Sequence, residues 1–308
     1  MEITLLLIKK IVSLFIVMFL GVLMVKLKLV KSTDSKVISM VVLYLMTPCV
    51  ILNAYQVEYS VEVRNGLLLA ALASVIAYGL WFVMIAILKK PLKLDAIEQC
   101  SVLYTNACNL IIPIVTSVLG AEMIIYSTAF LSVQTVLMFS HCRIVFSGEP
   151  KIDWKKILTN INLICVFVGA LLFAFQVKLP NLVVDTMSST GACIGPVSMV
   201  VIGMIIGGMN FKKMFSYNRA WLVTFLRLIV FPLAMLAVLK FSPLYTLLSN
   251  GQQILLVTFL SCTAPCASTV TQMAQIYGRD YDYAGAINVI TTLLSIISMP
   301  LMVMLYQL

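Results

Sequence analysis

The stretch Cys100-Ser-Val-Leu-Tyr-Thr-Asn-Ala-Cys-Asn-Leu-Ile-Ile-Pro113-Ile-Val-Thr-Ser117 is apolar enough for a membrane, yet it carries Asn106, Asn109 and a central proline. A second stretch repeats the combination: Thr258-Phe-Leu-Ser-Cys-Thr-Ala-Pro265-Cys-Ala-Ser-Thr-Val-Thr-Gln272 sets Pro265 among Ser261, Thr263, Ser268, Thr269 and Gln272. Proline lacks an N–H and clashes with the carbonyl four residues back, so Pro113 is expected to free the Asn109 carbonyl and Pro265 that of Ser261. The residue before each proline is also pushed out of the helical region. Freed backbone groups are tolerated in hydrocarbon only when buried in protein or lining a wet cavity. Two broken helices facing each other at the midplane are the simplest arrangement.

Composition puts both stretches in a bilayer. Of 308 residues, 62% are hydrophobic and 11% charged, with a mean hydropathy of +1.07; a soluble domain has about 25% charged residues. A helix needs about 20 apolar residues to cross the hydrocarbon. Ten stretches qualify, near Leu5 to Val25, Val37 to Tyr55, Gly66 to Leu88, Ile97 to Leu119, Glu122 to Cys142, Ile157 to Val177, Met187 to Gly208, Tyr217 to Leu239, Gln252 to Ile276 and Tyr283 to Tyr306. The first is expected to be kept rather than cleaved as a signal peptide, because Glu2, Lys9 and Lys10 interrupt it and no small-residue cleavage site follows. The eight cysteines contain no C-x-x-C pair and read as reduced packing residues.

Positive residues mark the cytoplasmic side. Connections after odd-numbered spans hold Lys26, Lys28, Lys31, Lys36, Lys89, Lys90, Lys93, Arg143, Lys151, Lys155, Lys156, Lys212, Lys213, Arg219 and Arg279; the other side holds Lys9, Lys10, Arg64, Lys178 and Lys240. Both termini are therefore expected on the non-cytoplasmic side of the cell membrane. The net charge of +9 is read as topology plus attraction to anionic lipid, with no nucleic-acid partner.

Ten spans divide into 1–146 and 157–308 around a polar cytoplasmic linker, 147–156, that contains Gly148, Pro150 and Trp154. An odd number of crossings turns the second half upside down, which gives two inverted five-helix repeats with spans 4 and 9 as the broken pair. Pro48 in span 2 and Pro196 in span 7 correspond in the same way.

All twelve acidic residues fall in connections or at span ends. Intramembrane acids usually mark proton relays or cation sites, so their absence argues against a carboxylate-based cation pump, although sodium held by carbonyls and hydroxyls stays open. One charge does lie inside, Arg227, in span 8. Its long stem could carry it toward the interface or a structural partner; the other reading is a positive field near the site. Half-helices starting after each proline would add two positive N-terminal ends. With amide donors from Asn106 and Asn109, that environment suits a carboxylate, and Ser268, Thr269, Gln272 and Asn288 are further lining candidates.

Enzymatic chemistry has nothing to work with. His141 is the lone histidine, which excludes H-E-x-x-H zinc chemistry, and there is no P-loop, no G-x-S-x-G elbow and no aspartate-rich pair within membrane depth. No cofactor or metal is expected. Gly191-x-x-x-Gly195 and Gly203-x-x-x-Gly207 allow close helix contact, either within the chain or at a dimer seam.

Asn106 through Pro113 resembles the asparagine-to-proline signature of the auxin efflux carrier family. Ala264-Pro265 through Tyr277-Gly278, and Ser295-Ile-Ile-Ser-Met-Pro300-Leu301, are similar to its bacterial members, and the resemblance extends over the ten-span spacing. It implies a fold like that of bile-acid symporters, with spans 1, 2, 6 and 7 as scaffold and spans 3–5 and 8–10 as a transport domain moving in elevator fashion. It implies substrate binding at the crossing, by Asn106, Pro113 and Pro265, with Arg227 as a looser match. Auxins, or malate and malonate in bacterial members, are the substrates it suggests, and a homodimer is compatible with it. The long central loop of the canal-forming plant members is missing, so their phosphorylation control does not carry over. The expectation is a secondary transporter of a small organic anion; the alternatives are a sodium-coupled symporter of a bile-acid-like amphiphile and a non-transporting ligand sensor.

Overall fold

The computed structural model describes residues 2–149, 152, 154–209 and 214–308. Among them every regular element is a helix. Seven helices are long and apolar enough to cross a membrane: Leu5–Lys26, Ser32–Ala54, Val61–Leu88, Ala121–Ser147, Asn181–Gly208, Asn218–Phe241 and Tyr281–Gln307. They are spans 1, 2, 3, 5, 7, 8 and 10. Span 6 is the shorter Ile161–Ala174. Span 4 is Ala96–Leu103 followed by Ala107–Val118, and span 9 is Gly251–Thr263 followed by Ser268–Ile276. The polytopic all-helical architecture stands as expected. Span 7 starts six residues earlier than hydropathy alone indicates and span 5 runs five residues further.

Polar residues at the span ends cap helices. The Ser60 side chain accepts from the Val63 N–H, the Asp280 side chain from Tyr283, and Asn160 from Leu163. Asp95 accepts from the Glu98 N–H at 2.8 Å while Glu98 Oε2 accepts from the Asp95 N–H at 3.0 Å, a reciprocal cap that starts span 4.

Three prolines follow a widened helical turn. Pro48 follows Val42–Met46, Pro113 follows Ala107–Ile111 and Pro232 follows Leu226–Val230. A wide turn moves aside the carbonyl that the pyrrolidine ring would otherwise strike, so the chain passes each proline still helical. Pro113 is therefore not the break. Span 4 opens earlier, at Tyr104–Asn106, whereas Pro265 does lie in the opening of span 9.

Spans 1, 2, 6 and 7 pack mainly on one another, and spans 3, 5, 8, 9 and 10 do likewise. The glycines of span 7 are used inside the chain. A Cβ at Gly203 would fall onto the Met18 carbonyl of span 1, one at Gly207 would meet Val25 at 2.8 Å, and one at Gly195 would meet the Pro113 ring at 2.8 Å. All eight cysteines are free.

The connections gather at two ends. Arg219, at the start of span 8, donates to the carbonyls of Leu92 and Lys93 between spans 3 and 4, and Arg279 donates to the Phe146 carbonyl at the end of span 5. Lys178 pairs with Glu58 at 3.5 Å, and the Leu179 N–H donates to Gln56, joining the 2–3 and 6–7 connections. These contacts join connections that follow odd-numbered spans with one another, and connections that follow even-numbered spans with one another. Pro150, Lys151, Asp153, Lys212 and Lys213 lie outside the described residues.

Candidate functional site

The two breaks cross as an antiparallel pair, with Thr105 opposite Cys266. The Asn106 N–H donates to the Pro265 carbonyl at 2.8 Å and the Ala267 N–H to the Tyr104 carbonyl at 2.9 Å. Exchanging Thr105 with Cys266 exchanges Tyr104 with Pro265, so the equivalent positions of the two halves are set by the bridge and not by the prolines.

The remaining main-chain groups of the crossing are met by side chains of spans 5 and 10. Gln134 Oε1 accepts from the Thr105 N–H at 3.0 Å, and its Nε2 donates to the Thr105 carbonyl at 2.9 Å. Tyr78 donates to the same Oε1 at 2.7 Å. Across the crossing, Asn288 Nδ2 donates to the Cys266 carbonyl at 2.8 Å and the Cys266 N–H donates to Thr291 Oγ1 at 3.2 Å. Buried backbone groups left unpaired would cost about 1–3 kcal/mol each; here they are satisfied.

Arg227 serves the other side of the crossing. It is fully buried (0% exposed), with Nε donating to the Ala264 carbonyl at 3.0 Å, Nη1 to Val102 at 2.9 Å and Nη2 to Cys262. These carbonyls end the leading halves of spans 4 and 9, where helix dipoles are negative. Trp81 covers the guanidinium, 4.8 Å from its centroid to the carbon. Arg227 is not among the residues that line the cavity at which the trailing halves begin. A second buried charge, Glu98 (0% exposed), takes both arms of Arg219 at 2.6 Å and the Tyr283 hydroxyl at 2.7 Å, which ties spans 4, 8 and 10 together.

The trailing halves begin at a cavity of about 110 Å³. Asn106, Cys108 and Asn109 line it from span 4, Ala267, Ser268 and Thr269 from span 9, Ser132, Gln134 and Thr135 from span 5, Thr47 from span 2 and Asn162 from span 6. No charged side chain lines it. Asn106 is 4% exposed, and its Nδ2 has no hydrogen-bond partner, nor has Asn162 Oδ1. Two helix N-termini and an unpaired amide donor on this wall are groups that can meet a hydrogen-bond acceptor.

Of the residues singled out from sequence, Asn106, Asn109, Ser268 and Thr269 come together in the cavity. Pro265 and Asn288 hold the crossing from behind. Ser261 and Thr263 spend their hydroxyls on the Val257 and Leu260 carbonyls within their own helix. Pro113 packs beside Gly195, and Gln272 is exposed. Sequence reasoning passed over Gln134, Thr47 and Asn162; an amide amid the apolar run of span 5 was the available signal.

A family model described as a membrane transport protein matches residues 6–151 and 149–303. No curated protein matches the chain.

Proposed function

This chain belongs to the membrane transport protein family, which is the auxin efflux carrier family, and on that premise we propose that it carries a small organic anion across the cell membrane. One observation supports this most directly: the trailing halves of both broken spans present their N-termini, with the unpaired Asn106 amide, to one uncharged cavity. Fixed dipoles and neutral donors hold an anion without the penalty of burying a second charge. The cavity volume, about 110 Å³, is well below the roughly 300–1,000 Å³ of drug-sized pockets, so the fitting solute has a few heavy atoms rather than a steroid skeleton.

The cavity lies where the 1-2-6-7 group meets the other spans. That position supports an elevator mechanism in which spans 3–5 and 8–10 carry the crossing past a scaffold of spans 1, 2, 6 and 7. The distribution of basic residues favours cytoplasmic connections after odd-numbered spans, with both termini opposite.

Uptake of labelled malate, malonate and indole-3-acetate into liposomes containing the purified protein, with and without sodium and pH gradients, tests this reading. Saturable uptake of one of the acids is expected, together with competition among them. Absence of flux for every acid would remove the anion assignment and return the sensor and amphiphile readings.

A further inference from the structure

The sequence has one histidine, and neither the crossing nor the cavity uses it. His141 lies in the wide turn Met138–Cys142 of span 5, one turn beyond Met138, which lines the cavity. Its Nδ1 is 3.0 Å from the Tyr104 hydroxyl, and that hydroxyl donates to the Leu137 carbonyl at 2.9 Å. When the single proton of Tyr104 goes to Leu137, Nδ1 is the donor and Nε2 is the nitrogen that gains or loses a proton. Tyr104 is also the residue whose carbonyl closes the crossing onto Ala267. The ring of His141 packs nearly perpendicular to Phe82 at 4.7 Å.

We propose that His141 is a proton-binding site coupled to the cavity, so that one proton and one anion are taken up together and the proton is the coupling ion. The proposal rests on the anion reading above. At a rise of about 1.5 Å per residue, the imidazole stands roughly 5–10 Å from the cavity wall. A positive charge about 10 Å from a carboxylate, at an effective dielectric constant of about 20, tightens binding on the order of tenfold. The effect is reciprocal: the bound anion strengthens proton binding by the same factor. Protonation leaves the hydrogen bond to Tyr104 in place, so the charge arrives without rearranging the crossing. The titratable and charged groups around the ring are Tyr104 on span 4, Lys89 at the end of span 3, Arg143 on its own span, and Lys155 and Lys156 on the short helix Trp154–Leu158 packed on this turn.

Calorimetric binding of pyruvate and of lactate, which stay ionised throughout, to the purified protein between about pH 5.5 and about pH 8.5 brackets imidazole titration. Buffers of different ionisation enthalpy count the protons taken up. Affinity in the wild type is expected to fall on the order of tenfold as pH rises, with proton uptake accompanying binding at the upper end. His141→Gln should bind with the weaker affinity at every pH. Lys89→Gln, which removes a neighbouring positive charge, should move the fall to higher pH and keep its size. Binding that is independent of pH in the wild type, or a wild-type profile retained in His141→Gln, overturns the proton site and leaves the anion reading standing. Should His141→Gln not fold, an unshifted profile in Lys89→Gln overturns it instead. Failure of pyruvate and lactate to bind at any pH overturns this inference, and the anion reading falls with it only where malate, malonate and indole-3-acetate also show no flux.

Discussion

Gln134 holds both main-chain groups of Thr105, accepting from the N–H and donating to the carbonyl, and so stands in for the strand neighbour that an extended residue inside a membrane lacks. Gln134→Leu should leave both main-chain groups of Thr105 unpaired, along with the buried hydroxyls of Tyr78 and Thr105 that also donate to Gln134, and lower stability by about 2–4 kcal/mol. Thermal unfolding in detergent measures the loss, and hydrogen exchange at the Thr105 amide locates it. Gln134→Glu keeps the acceptor and should fall in between. An unchanged midpoint in Gln134→Leu would mean that the clamp is dispensable.

Asn106 is expected to behave in the opposite way. Its Nδ2 has no partner in the fold, so Asn106→Ala should unfold near the wild-type temperature while carboxylate affinity drops about tenfold or more, the worth of one hydrogen bond to an anion. Equal affinity in the variant would take Asn106 out of the site.

For Arg227, structure and selectivity separate. Its three carbonyl partners end two different broken spans, so Arg227→Gln should be destabilised by about 3 kcal/mol or more and accumulate poorly. Arg227→Lys keeps the charge but loses the planar fork. The fraction that folds should still prefer anions over cations, because the guanidinium lies outside the cavity. A loss of anion preference in the folded fraction of Arg227→Gln would argue that its field reaches the substrate.

The seam between spans 1 and 7 should tolerate no added methyl group. Gly203→Ala drives a Cβ onto the Met18 backbone and is expected to cost about 3 kcal/mol, the upper end of overpacking. Gly79→Ala meets nothing within 4 Å and should be neutral or slightly stabilising. Folding yield and unfolding midpoint of the pair decide the matter; equal behaviour would show that spans 1 and 7 can move apart at no cost.

Hydropathy made the ten spans legible, and the paired polar stretches identified spans 4 and 9, because both signals are local. The register of the crossing was not legible. Pro113 looked like the break since proline disrupts an ideal helix, but the wide turn Ala107–Ile111 absorbs it, and the opening at Tyr104–Asn106 is created by groups far away in sequence. Gln134 supplies two of them and Pro265 a third. Arg227 was visible as a buried cation, and its role was not, because the carbonyls it serves exist only once two helices have ended beside it. Glu98 is one of the acids at span ends, and only the fold brings Arg219 and Tyr283 to it. Four of the eleven residues proposed for the site meet in the cavity, those at the starts of the two trailing halves.

The crossing also sets an order on biogenesis. Pro265 and Ala267, which complete the backbone of Tyr104 and Asn106, leave the ribosome some 160 residues after them, roughly ten to thirty seconds at ordinary elongation rates. Arg227, which caps Val102, comes only a little sooner. During that interval Gln134 can meet Thr105, but the Tyr104 carbonyl and the Asn106 N–H of the opening in span 4 have no partner among the first five helices. The first half is thus an unfinished assembly until the ninth helix is made, and a nascent chain stalled before it presents the insertion and quality-control machinery with a helix end that nothing yet covers.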